Sequence, residues 1–280
     1  MSKKKGKEPK YLYSPMNNPM LNYQTYYMNK KESLLYTVLC IGAGGLAGLI
    51  FYGGLFKSNG ETTTATRISN LIVFSVFGLI ALKVAMPSIK ESLLKRRAKL
   101  LRKQFVDLLE TLSTLLSSGS TVNDAFIKAE NDLKNHYMES DMIVVELKEI
   151  NNGIENGKTL EEMIDSFGLR SANKDIQSFA NVISNCNRLG GDFRSVIRRT
   201  RDVISEKIEI EEEIQTKISS NKIQLNALSL MPIALVGLLK LSSSSFAENL
   251  RSATGILATT VAIAIFVGAH FWGKKIIDIR

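Results

Sequence analysis

Four long apolar runs constrain this chain more than any other feature. They cover residues 33–56, 68–89, 223–241 and 253–273, and each has the roughly 20 residues that a helix needs to cross a bilayer. They come as two pairs with links of only about 11 residues, so each pair reads as a helical hairpin. Helices of a soluble core seldom stay apolar on every side for so long, and membrane spans are the reading adopted over four buried core helices. The polar stretch between the pairs, 90–222, holds no further spanning candidate.

The basic residues give the spans a direction. Lys3, Lys4, Lys5, Lys7, Lys10, Lys30 and Lys31 precede the first span, and Lys90, Lys95, Arg96, Arg97, Lys99, Arg102 and Lys103 follow the second. The links 57–67 and 242–252 carry few basic residues, and Lys274, Lys275 and Arg280 follow the last span. Positive loops stay inside, so both termini and the central stretch are expected in the cytoplasm. The first apolar run begins too late and runs too long for a cleaved signal peptide. The expected order is a cytoplasmic basic tail 1–32, span 33–56, outer loop 57–67, span 68–89, cytoplasmic domain 90–222, span 223–241, outer loop 242–252, span 253–273 and cytoplasmic tail 274–280.

This topology also accounts for the net charge of +9. Between Phe105 and Lys217 there are 21 acidic and 13 basic residues, a net of −8, which leaves +17 for the rest. A nucleic-acid-binding domain would itself be basic, so that function class is excluded.

Within the central domain the apolar residues recur at helical spacing. Phe105, Leu108, Leu109, Leu112, Leu115 and Leu116 form one stripe; Val122, Ala125, Phe126, Ala129 and Leu133 form the next. Further stripes are Ile143, Leu147, Ile150 and Ile154, then Leu160, Met163, Ile164 and Phe167, then Ile176, Phe179, Ala180 and Ile183. A last one opens with Phe193, Val196 and Ile197. The fold class is therefore all-α, a multi-pass membrane protein with four transmembrane helices and one cytoplasmic bundle of about six helices.

The punctuation between stripes repeats. GSTVNDAF at Gly119–Phe126, GKTLEEMI at Gly157–Ile164 and GGDFRSVI from Gly190 share a glycine followed by a capping residue and apolar positions at helical spacing. Glycine takes the left-handed conformation that ends one helix, and Thr121, Thr159 or Asp192 caps the next. Thr159 and Glu162 have capping-box spacing. The expected corners are Gly119 with Thr121, Gly157 with Thr159, and Gly190 and Gly191 with Asp192, giving three helical hairpins.

At these residues the chain resembles the F-type domain of bacterial type II secretion and type IV pilus platform proteins. SGSTVNDAF (Ser118–Phe126), NGKTLEEMI (Asn156–Ile164) and NRLGGDF (Asn187–Phe193) match the three corners of that family, and the likeness extends from Phe105 to the C-terminus. Asn187 stands where the family often has glutamate. One F domain between two pairs of spans is the layout of the paired platform proteins of tight-adherence (Tad) pili. The resemblance implies a bacterial cytoplasmic-membrane protein that engages a hexameric secretion ATPase and helps pilin leave the membrane. It also implies a second F-type platform protein as partner and a homo- or hetero-oligomer.

The search for chemistry yields no catalytic, cofactor-binding or metal site. There is no phosphate-binding loop of the G-x-x-x-x-G-K-[ST] form and no His-Glu-x-x-His pair. His136 and His270 fall in different compartments of the topology, as do Cys40 and Cys186. His270, followed by Phe271 and Trp272, reads as an interfacial anchor. The chain is expected not to be an enzyme, with no cofactor; a small-solute transporter or channel is the alternative.

Three stretches have interaction potential. Gly44 and Gly48 form a G-x-x-x-G face, for packing within the chain or against another subunit. Lys95–Lys103 (KRRAKLLRK) is read as contacting anionic lipid head groups. Glu206, Glu209, Glu211, Glu212 and Glu213 form an acidic face that is the candidate docking surface for the ATPase, with a solvated helix face as the bland alternative.

Overall fold

A computed structural model describes residues 9–54, 64–188 and 192–277. The four apolar runs all lie in helices long and apolar enough to cross a membrane. They are α1 (Lys30–Tyr52), the first part of α2 (Thr64–Ser117), the last part of α7 (Phe193–Ser242) and α9 (Ala253–Ile277). Between them in chain order come α3 (Val122–Lys134), α4 (Met142–Glu155), α5 (Leu160–Arg170), α6 (Lys174–Arg188) and, before α9, the short α8 (Ser244–Arg251). The link 242–252, expected as a plain loop, thus contains a helix, whose first turn is capped by the Ser243 hydroxyl accepting from the Phe246 amide at 3.2 Å.

The chain divides into two compact units, one of Met1–Tyr27 with Lys90–Ile210 and one of Met28–Ile89 with Glu211–Arg280. In the first, the apolar stripes face a shared core. Phe105 and Leu109 of α2, Phe126 of α3, Leu147 of α4, Phe167 of α5, Ile176 of α6 and Ile197 of α7 are all buried in it. Phe105 sits edge-on to Phe167 and Phe179, with ring centroids 6.2 and 5.3 Å away, an arrangement that aromatic quadrupoles favour. Helix α5 packs on both α4 and α6, and α3 packs on α4.

The N-terminal segment departs from the sequence reading. Residues expected only as a basic tail include a two-stranded antiparallel hairpin, β1 (Tyr11–Tyr13) and β2 (Pro19–Leu21), with Leu12 opposite Met20. Asn17 holds the turn at φ 60°, a conformation asparagine tolerates, and donates its amide to the Ser14 carbonyl at 2.8 Å. The hairpin belongs to the helical unit.

In the second unit, α1 and α2 meet closely. A Cβ added at Gly44 would lie 2.4 Å from Ala81 Cβ, and one at Gly48 would lie 2.8 Å from Phe77 Cβ. The G-x-x-x-G face is therefore occupied within the chain by α2, small residues allowing close approach of the helices. Much of the remaining apolar surface faces outward, with Leu39, Leu79, Leu230 and Val261 exposed.

Candidate functional site

The corners form as local rules dictate. Gly119 has φ +95° and Gly157 φ +80°, and the following threonines cap the next helices. Thr121 Oγ1 accepts from the Asp124 amide and Thr159 Oγ1 from the Glu162 amide, both at 3.3 Å. Gly190 and Gly191 of the third corner lie outside the described residues. Asp192 follows them, its Oδ1 accepting from the Arg194 amide at 3.0 Å in the first turn of α7. These residues shape the unit; none of them forms a reactive site.

The polar centre of the unit is one that sequence reasoning missed. Arg170, at the end of α5, donates from Nη1 to Glu146 Oε1 at 2.7 Å and from Nη2 to Oε2 at 2.6 Å. Both side chains are buried, and the Tyr23 hydroxyl donates to the same Oε1 at 3.0 Å. Burial pushes the Glu146 carboxyl up from its ordinary value, while the Arg170 fork and the Tyr23 hydroxyl pull it back down. Tyr23 itself is pushed up, first by burial and then by the Glu146 charge and hydrogen bond.

One turn along α4, Glu149 receives the Ser14 hydroxyl at 2.5 Å and Asn18 Nδ2 at 3.1 and 3.2 Å. The Tyr23 amide donates to the Arg170 carbonyl at 3.0 Å, and Gln24 Nε2 to the Leu169 carbonyl at 2.7 Å. Arg97 closes the other side, its Nη2 donating to the carbonyls of Asn22, Tyr23 and Thr25 at 3.3, 3.1 and 2.6 Å. Its guanidinium also lies over the rings of Tyr23 and Tyr26. The hairpin segment is held to the helices by charge and hydrogen bonding.

This corrects the reading of the basic segment. Arg97 turns to the N-terminal segment, and Arg102 is buried with Nε 2.9 Å from Asp175 Oδ2. Only Lys95, Arg96, Lys99 and Lys103 remain exposed. A stretch of like charge on a helix has a buried face as well as a solvent face, and these two arginines lie on the buried one.

Two features of α7 and its neighbour stand out, Glu206 and Glu209 belonging to the first unit and Glu211, Glu212 and Glu213 to the second. Glu206 and Glu209 are exposed on α7, as are Glu211, Glu212 and Glu213 further along it. Glu213 receives Lys217 Nζ at 2.7 Å, an i,i+4 pair of the kind that ordinary solvated helices carry. Between α6 and α7 lies a groove of about 470 Å³, floored by Phe179, Val182, Val196 and Val203 and edged by Asp175 and Arg199. Lys207 Nζ reaches Asp175 Oδ1 at 2.8 Å, so this carboxylate holds two cations.

In the apolar unit, Lys240 caps α1, its Nζ donating to the carbonyls of Leu49, Ile50 and Gly53 at 3.4, 3.0 and 2.8 Å. A cation at a helix C-terminus satisfies carbonyls that have no partner within the helix. His270 Nδ1 and the Ser229 hydroxyl are 2.7 Å apart, so this histidine also links two apolar helices. Cys40 and Cys186 are free thiols. Among the described residues no three His, Cys, Asp or Glu side chains gather as a metal site requires.

Residues 108–239 match the family model of type II secretion system (T2SS), protein F. The protein F match begins inside α2 and ends inside α7, so it takes in most of the helical core, the positions of all three corners and most of the third apolar run. Searches of curated proteins and of solved structures give no match. The hairpin at 10–27 lies outside the protein F region.

Proposed function

We propose that the chain is the cytoplasmic-membrane platform protein of a Tad-like type IV pilus or type II secretion machine. In this role it couples a cytoplasmic secretion ATPase to the assembly of pilin, and it is not itself an enzyme. The observation that carries this reading is the protein F match at 108–239 flanked by paired apolar helices, two before it and two reaching past it. Both termini and the helical unit lie in the cytoplasm, as the basic clusters favour. A second F-type platform protein, pilin and surrounding lipid are its partners.

With no nucleotide site in the sequence, force enters through a cytoplasmic contact. The exposed glutamates of α7 are the surface proposed for it, because opposite charges set the register of an encounter and speed it. Reversing charge by Glu211→Lys, Glu212→Lys and Glu213→Lys is expected to weaken capture of the cognate ATPase and piliation, with membrane insertion unchanged. Raised salt should mimic the loss, since exposed charges are screened over about 8–10 Å. Equal capture at low salt with normal pili would remove these glutamates from the contact and turn attention to the groove between α6 and α7.

A further inference from the structure

An apolar slot of about 770 Å³ opens among the helices of the second unit. Ala47 and Phe51 of α1, Pro232 and Val236 of α7, and Ala262 and Phe266 of α9 line it, and α8 closes one end with Phe246, Asn249 and Leu250. Two cations lie beyond the lining at that end: Arg251 follows Leu250, and Lys240 stands one turn of α7 past Val236. Lys240 spends its hydrogen bonds on the α1 carbonyls, and the charge of Arg251 acts on it. Arg251 lies against Gly54, where an added Cβ would come within 3.3 Å of its Nε and Nη2. Its Nε is buried without a hydrogen-bond acceptor, and among the described residues no carboxylate forms an ion pair with either cation.

Depth decides what fits. On α9 the lining runs from Gly255 to Val267, about 18 Å at 1.5 Å per residue. That is close to one leaflet, about half of a ~30 Å hydrocarbon core. A protein span would need the full depth. The dimensions suit a single acyl chain, and the paired cations at the interfacial end suit a phosphate.

We propose that this slot is a binding site for one anionic phospholipid, its acyl chain between α1, α7 and α9 and its phosphate held by Arg251 beside Lys240. The site rests on the apolar helices lying in a bilayer, which alkaline carbonate extraction tests separately. It does not depend on the pilus reading.

The full-length chain, extracted in mild detergent, is exchanged into equal phosphatidylglycerol and phosphatidylcholine of identical acyl chains, and retained lipid is counted by native mass spectrometry. One phosphatidylglycerol per chain is expected. The preference over phosphatidylcholine should be about fivefold, the worth of one interfacial arginine, and should vanish in Arg251→Gln. Ala262→Phe, which fills the slot, should lose both lipids. Photoactivatable phosphatidylglycerol provides a readout that needs no variant: it should label α7 and α9 near Val236 and Ala262. Equal retention of the two lipids by the unmodified chain, full retention in Ala262→Phe, or labelling elsewhere would overturn the site. A co-purified apolar peptide in place of lipid would also overturn it.

Discussion

Glu146 and Arg170 face each other through two parallel hydrogen bonds, 2.7 and 2.6 Å long, with exposures of only 1% and 3%. A buried bidentate pair of this kind is costly to desolvate, and removing one partner strands the other charge. Arg170→Met should therefore destabilise the helical unit by about 3–5 kcal/mol, while Glu146→Leu with Arg170→Met should recover much of that loss. Thermal unfolding of the detergent-solubilised single and double variants checks this. If both are equally destabilised, the fork contributes no more than local packing.

The N-terminal segment depends on the same centre. Arg97 holds three of its backbone carbonyls, so Arg97→Ala should loosen residues 10–27 while the helices stay folded. Limited trypsin digestion should then cut at Lys30 and Lys31 earlier than in the unmodified protein, with helical circular dichroism nearly unchanged. Unaltered cleavage would show that the Glu146 and Glu149 contacts suffice.

How far this was legible in the sequence depends on the range of the interactions. Gly119 and Thr121 act within one turn, so local spacing reveals both the helix end and the next cap. The stripe Ile143, Leu147, Ile150 likewise reveals its helix. The Tyr23–Glu146–Arg170 centre joins residues far apart in the chain, and no local pattern encodes that. A partial signal was present: Glu146 follows Ile143 by three residues and Arg170 follows Phe167 by three, which puts both charges beside buried apolar positions. The hairpin had its own cue, the Asn-Pro turn signal at Asn18–Pro19 between tyrosine-rich runs. Its short strands bury little apolar surface and are held by polar contacts, so hydrophobic periodicity could not show it.

The two described corners differ in cause from a packing effect. At both Gly119 and Gly157 an added Cβ would meet nothing within 4 Å, so a larger residue costs backbone strain alone. Gly119→Val and Gly157→Val should each lose ~1–2 kcal/mol. Unfolding midpoints of the two variants test this, and unchanged values in both would mean that the corners relax out of positive φ.

Tyr137 gives a pH signature outside the apolar helices. Its hydroxyl donates to Asp107, and burial first, then that hydrogen bond, raises its pKa to about 12. A phenol that holds its proton more tightly in the folded chain adds stability that is complete below its ordinary pKa of ~10 and is lost as pH rises towards the folded value. Stability of the unmodified protein should thus fall more steeply between pH 10 and 12 than that of Tyr137→Phe. Parallel pH profiles would remove Tyr137 from the linkage.

The topology can be tested at two exposed positions. Ser244 begins α8 in the link poor in basic residues, and Asn152 lies on α4 of the helical unit. Positive loops remain inside because basic clusters resist translocation, so these positions should face opposite sides of the membrane. After Cys40 and Cys186 are replaced by serine, single cysteines at 244 and 152 should react differently with a membrane-impermeant maleimide. In spheroplasts the first should label at once and the second only after lysis. Labelling of position 152 in intact spheroplasts, with 244 protected, would invert the chain. The acidic face of α7 would then lie on the side away from any cytoplasmic ATPase, and the platform reading would fail with it.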